Sequence, residues 1–152
     1  MPTITPCLWV VGDVDEVISY YSGVFSNVAV EAEGRMPDGS LMTATVTIEG
    51  QRFMLLKGGP QPFTFSEAVS FYVSCEGQAE VDRYWDYLTA DGGEESQCGW
   101  LKDRYGVSWQ VFPRRLTELT LNADKSVSAK AMAAMMKQKK IDIAAIEAAV
   151  RG

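Results

Sequence analysis

Apolar and polar positions alternate along this chain in two rhythms, and the switches between them mark out the elements. A period of two runs through Leu41–Ile48, and short apolar stretches bounded by turn residues at Pro6–Val11, Val28–Glu33 and Gln51–Lys57 predict further strands. Within Leu41–Ile48, Thr43, Thr45 and Thr47 alternate with Met42, Ala44, Val46 and Ile48, and Glu49-Gly50 makes a tight hairpin into Gln51–Lys57. Between Pro6–Val11 and Val28–Glu33 the rhythm changes to helical: Val17, Tyr20, Tyr21, Val24 and Phe25 share one face. Asp13 with Glu16 three residues on predicts a helix start near Val14, by a capping box. Gly58-Gly59-Pro60-Gln61-Pro62 then breaks the pattern and reads as a linker.

The same order returns. Ala68–Ser74 reads as a strand, and Val81, Tyr84, Trp85 and Leu88 give a helix face capped by Gly77 and ended by Asp91-Gly92-Gly93. A short strand follows near Glu94–Gln97, then two strands within Gln97–Phe112. The charged turn Lys102–Gly106 separates these two, Gly106 supplying the backbone freedom that closes it. The order βαβββ thus appears twice, offset by roughly sixty residues, a self-similarity that outweighs any local motif. Beyond Pro113 the signal is helical: a turn at Leu116–Leu121, a helix capped by Asp124 or Ser126 that carries Met132, Met135 and Met136, and a last helix capped by Asp142. The methionines, at helical spacing, are expected to cover apolar surface.

Composition narrows the chemistry. At 152 residues the chain makes one domain or two small halves. Its net charge of −6 and lack of an arginine-rich stripe argue against nucleic acid as a partner. No run of about 18 apolar residues offers a membrane span, and the first residues lack the basic and apolar regions of a signal peptide. Three separated cysteines, Cys7, Cys75 and Cys98, suit a reducing cytoplasm. The chain contains no histidine, which removes Ser-His-Asp and Cys-His machinery, HExxH zinc sites and any histidine acid–base step.

Several stretches together resemble the vicinal-oxygen-chelate superfamily of glyoxalases, bleomycin-resistance proteins and extradiol dioxygenases. They are Ile4–Trp9, Tyr20-Tyr21 with Val24-Phe25, Gly50–Met54, Gly58-Gly59-Pro60, Phe65–Ala68, Tyr84-Trp85, Gln97–Asp103, Gly106–Val111 and Lys139–Ile143. The match is nearest to the PhnB-like branch, many members of which carry the label 3-demethylubiquinone-9 3-methyltransferase. The resemblance implies an α+β fold in which two βαβββ modules curl mixed sheets around a cavity, usually in a homodimer. Module one then spans 4–57, a linker 58–65, module two 66–113 and a C-terminal helical extension 114–152, all within one glyoxalase-like domain. Metal-dependent relatives place ligands on the first and last strands of their modules. Matched by position, these fall on Pro6, Ala68 and Gln110, and Gln51–Lys57 holds no carboxylate, so the resemblance implies a copy with no metal and no other cofactor.

By strand alternation Leu8, Ser70, Tyr72, Ser108 and Gln110 are expected to face the cavity, with Phe53 and Cys98 as further ligand-binding candidates. Cys7, Trp9, Phe71, Val73, Trp109 and Val111 are expected to pack under the helices. Gln110 could orient a ligand or satisfy a neighbouring group. Cys98 could be a nucleophile only if Lys102 or Arg104 lowered its pKa, and otherwise is a small semi-buried motif residue. Asp103, between two basic residues, reads as part of a solvated turn. The function these features point to is binding of a small molecule by a cytoplasmic homodimer. Alternatives are a metal-independent lyase or isomerase, or an interaction module working through its C-terminal helices. Methyl transfer lacks its usual signature, since no glycine-rich strand-to-helix turn for S-adenosylmethionine is present.

Overall fold

A computed structural model describes all residues, 1–152. The chain divides into two compact units, Met1–Phe63 and Thr64–Gly152. In the first, β1 (Cys7–Val10), β2 (Val28–Arg35), β3 (Leu41–Ile48) and β4 (Gln51–Lys57) form an open mixed sheet in the order β1-β4-β3-β2. Helix α1 (Val14–Ser22) packs on β2, β3 and β4. The sheet is mixed because β1 runs parallel to β4, with Leu8 opposite Leu55, while the other pairs are antiparallel. Glu49 and Gly50 both have positive φ, 47° and 83°. Such a two-residue loop matches the twist of the flanking strands, which fixes the hairpin register.

The second unit repeats the plan. β5 (Ser70–Cys75), β6 (Glu94–Glu95), β7 (Trp100–Lys102) and β8 (Ser108–Pro113) lie in the order β5-β8-β7-β6, with β5 parallel to β8. Helix α2 (Gln78–Thr89) covers one face, burying Val81, Tyr84, Trp85 and Leu88 over Leu101, Trp109 and Val111. Trp85 keeps its polar edge satisfied, Nε1 donating to Glu95 Oε1 at 2.9 Å.

Helices α3 (Arg114–Thr120), α4 (Lys125–Met135) and α5 (Ile143–Arg151) build a small core of their own from Leu116, Leu119, Ala131, Ile141 and Ile146. Met135 packs against that core, whereas Met132 and Met136 stay exposed, so only one of the three methionines covers apolar surface within the chain. Gln78 ties this layer to α2, its Nε2 donating to Ile141 O and its Oε1 accepting from Ile143 N. The caps differ from one another. Asp124 accepts from Ser126 N and Asp142 from Ala145 N, as their positions require. Asp13 occupies the N-cap position without capping, because its carboxylate is taken by Lys57 Nζ at 2.6 Å. Asp142→Ala is therefore expected to cost about 1 kcal/mol, read as a lower urea midpoint with an unchanged slope.

Candidate functional site

Each sheet has one face under a helix and one face free of it. In the first unit the helix side carries Leu8, Val10, Ala44, Val46, Phe53 and Leu55, all buried. The open side carries Cys7, Trp9 and Met54 together with the row Thr43, Thr45 and Thr47. The expected facings of Leu8, Cys7 and Trp9 are thus corrected: Leu8 is core, Cys7 and Trp9 lie on the open side, and Phe53, the further ligand-binding candidate, is core as well. Alternation says which residues share a side but leaves open which side that is. The threonine row carries the missing information, since it belongs where water can reach. Trp9 stands on the open side, half-buried, its ring edge-on to Phe63 at 5.5 Å between centroids.

In the second unit the facing is as the alternation predicts. Phe71, Val73, Trp109 and Val111 lie toward α2, and Ser70, Tyr72, Ser108 and Gln110 lie on the open side. Across β5, β8 and β7 these form rows. Ser108 sits between Ser70 and Lys102, and Gln110 sits between Tyr72 and Trp100. Gln110 Nε2 donates to Ser70 Oγ at 2.9 Å, so the amide is held in place by a hydroxyl on the neighbouring strand. Ser108 is 1% exposed, and its Oγ has no hydrogen-bond partner. A buried hydroxyl left unpaired is unusual and costly, and needs a reason.

Two cavities flank this row. One, of about 90 Å³, lies at the β6–β7 end and is lined by Glu67, Glu94, Trp100, Lys102 and Ser108 among others. The other, of about 410 Å³, lies toward α3, between Tyr72, Phe112, Leu116, Thr117, Leu121 and Met135. There the Tyr72 hydroxyl is 3.0 Å from Thr117 Oγ1, and its ring meets Phe112 edge-on. Thr117, Leu121 and Met135 come from the C-terminal extension, whose contribution to a wall had no signal in the strand pattern.

Cys98 is not brought into the row. It stands before β7 with φ of 58°, its N–H bonded to Gln138 O at 2.8 Å. The nearby cations are engaged elsewhere, Lys102 with Glu67 at 2.6 Å and Arg104 with Asp91 at 3.2 Å. Of the other thiols, Cys75 is buried and pushed up to about 12 by desolvation, with Glu80 adding to the rise, so it holds its proton. Burial likewise raises Cys7.

Asp103 corrects another expectation. It is 2% exposed rather than solvated. Its Oδ1 accepts from Tyr105 N at 2.9 Å and Val107 N at 3.1 Å, and its Oδ2 from Trp109 Nε1 at 2.9 Å. The turn Asp103–Gly106 closes with Gly106 N on Asp103 O. Asp at the first position of a turn with glycine at the fourth is a recognised turn signature, and it was the available clue.

The positions that would correspond to metal ligands do not fit a divalent ion. Pro6 and Ala68 bring no donor side chain, and Gln110 is bonded to Ser70. Nowhere do three Asp, Glu or Cys side chains converge as a metal group. Divalent sites need several converging N, O or S donors.

Comparison with known proteins bears on the same residues. A family model described as 3-demethylubiquinone-9 3-methyltransferase matches residues 2–112. A PhnB protein of Bacillus cereus under the same description is 30% identical, with a TM-score of 0.67 over 74% of this chain and 99% of its own. Protein PA1353 of Pseudomonas aeruginosa is 21% identical, with a TM-score of 0.59 over 74% and 98%. The fosfomycin resistance protein FosX of Listeria monocytogenes, solved with Mn(II) and sulfate, is 16% identical, with a TM-score of 0.52 over 72% and 89%, a likeness of fold. No curated protein matches. No helix is long and apolar enough to cross a membrane. The repeated βαβββ plan, the open second sheet and the match over 2–112 agree: the chain belongs to the PhnB-like family described as 3-demethylubiquinone-9 3-methyltransferase, within the vicinal-oxygen-chelate superfamily.

Proposed function

We propose that this protein binds a small molecule on the open face of its second sheet, without a catalytic metal, and acts by holding that molecule. The observation that carries this reading is the polar row Ser70, Ser108 and Gln110 at the middle of a sheet face, one hydroxyl of it buried and unpaired, with a cavity at each end. Small-molecule sites combine apolar walls with a few placed polar groups in this way. Tyr72 belongs to the same face; Leu8, Phe53 and Cys98 drop out of the proposed ligand set, the first two being core and the third a turn residue.

A metal-independent lyase or isomerase would need a base or nucleophile on that face. On or beside it, the Tyr72 hydroxyl is bonded to Thr117, Lys102 is paired with Glu67 and Cys98 stands in a turn, so the Glu94 carboxylate at the rim is the one base on offer and no nucleophile stands beside it, which puts binding ahead of chemistry. Methyl transfer is not part of the proposal, because each sheet is mixed and no glycine-rich strand-to-helix turn opens a helix. The three free cysteines suit a reducing cytoplasm. A homodimer is supported by the outer strands β1, β2, β5 and β6, each bonded within its sheet on one side only, since sheet edges favour pairing with another chain.

A fragment screen read by backbone amide shifts tests the proposal. Binders are expected to move Ser70, Tyr72, Ser108 and Gln110 together. Binders that move only other surfaces, or a diverse library that yields none, would sink it.

A further inference from the structure

We infer that the smaller cavity at the β6–β7 end is a subsite for a ligand's primary ammonium group, a specificity that rests on the small-molecule reading above. Three independent features of that cavity agree. Its floor holds the Ser108 hydroxyl, 1% exposed and without a partner, so a lone pair is on offer and no group of the chain uses it. Lys102, opposite Ser108 on β7, does not supply the donor: its ammonium is 2.6 Å from Glu67 Oε1 and makes no bond to the hydroxyl.

The charge balance is the second feature. Two glutamates, Glu67 and Glu94, face one lysine, Lys102, around the cavity, while the side chain of Glu95, opposite Leu101, lies on the α2 side. Glu67 is paired with Lys102, and Glu95 accepts from Trp85 Nε1. Glu94 stands across from Lys102 and acts on it through space but makes no ion pair or side-chain hydrogen bond, so its oxygens are left to contact an incoming cation. The third feature is Trp100, half-buried in the wall with its ring stacked on no other aromatic, and indole is the ring whose face attracts cations most strongly. An ammonium offers three donors and one positive charge, which answers to a hydroxyl lone pair, a free carboxylate and an indole face. At about 90 Å³ the space suits a head group rather than a whole ligand, given that one water occupies about 30 Å³ of liquid. The rest of the molecule would then run along the Gln110 row toward the wider apolar cavity by α3.

The experiment uses three probes that differ only in the head: n-hexylammonium, n-hexanol and hexanoate, titrated into the full chain and followed by amide shifts and Trp indole N–H signals. Hexylammonium is expected to bind at least tenfold more tightly than either of the others, with Trp100 and Ser108 moving most. Glu94→Gln should weaken it about fivefold or more. Lys102→Met, which removes the competing cation and frees Glu67, should tighten it, a gain that misfolding does not imitate. Ser108→Ala should weaken it while leaving the melting temperature unchanged or raised, since the unpaired hydroxyl is then gone. Equal binding of hexanol or hexanoate on the same face overturns the ammonium assignment and leaves the small-molecule reading standing. Hexylammonium shifts confined to other surfaces, or insensitive to Glu94→Gln, overturn it too. The small-molecule reading itself fails only by the fragment screen.

Discussion

Asp103→Ala is expected to cost about 3–5 kcal/mol of folding stability, because it strands several buried donors at once. The carboxylate takes Tyr105 N, Val107 N and Trp109 Nε1 within 2.9–3.1 Å and is itself 2% exposed. Two of these donors are the backbone of the turn that joins β7 to β8, and the third anchors the largest aromatic of β8. Alanine leaves all three buried donors without their acceptor. Asn is the control: it keeps one acceptor oxygen with the right shape, so Asp103→Asn should retain the two backbone bonds and lose the indole bond. Its expected cost is about 1–2 kcal/mol. The measurement is urea unfolding followed by tryptophan emission, with the indole N–H of Trp109 observed by NMR to report the lost bond. Equal, small effects of both changes would mean that the turn is held by its backbone alone. The consequence reaches the proposed site as well, since Ser108 and Gln110 are the neighbours of Trp109 on the opposite face of the same strand.

How much of this was legible in the chain follows from the range of each cause. β3 and β4 begin and end where alternation and the Glu49-Gly50 turn place them, because both signals are local. The same holds for the α2 face and for the caps at Asp124 and Asp142. What failed was non-local. Leu8, Cys7 and Trp9 were on the expected strand but on the other side of the sheet, a choice made by where α1 lands rather than by the strand. The Asp13 carboxylate was drawn from its cap by Lys57, 44 residues away. Asp103 looked solvated because its neighbours are basic, yet its partners lie two, four and six residues ahead, within reach of a turn reading that gave weight to Gly106. The open-face set Ser70, Tyr72, Ser108 and Gln110 was legible because β5 and β8 pair in register, Ser70 with Ser108 and Tyr72 with Gln110, so two alternations reinforce each other.

The joint between the family-like part of the second unit and its helical extension was not legible at all, and it makes the second large prediction. Gly99 has φ of 81°, and a Cβ there would stand inside the Phe112 ring and 3.0 Å from Ile141 Cγ1. Its N–H donates to Lys139 O and the N–H of Cys98 to Gln138 O, both at 2.8 Å, while Gly99 O accepts from Val111 N. One residue thus connects β8 on one side and the 138–139 segment on the other. Gly99→Ala adds left-handed strain of about 1–2 kcal/mol and overpacking of about 1–3 kcal/mol. The expected loss is therefore on the order of 3 kcal/mol or more, concentrated at this joint. Ile141 belongs to the core of the extension and Phe112 to the wall of the wider cavity, so displacement of either is felt in both places. Hydrogen exchange should show α4 and α5 losing protection ahead of α2, because the lost contacts are theirs and not those of the sheet under α2. Uniform loss across the second unit would mean that the extension folds as one piece with the βαβββ module. Unchanged protection would mean that Phe112 has room to turn aside, and that the bonds from Cys98 and Gly99 do not hold the extension in place.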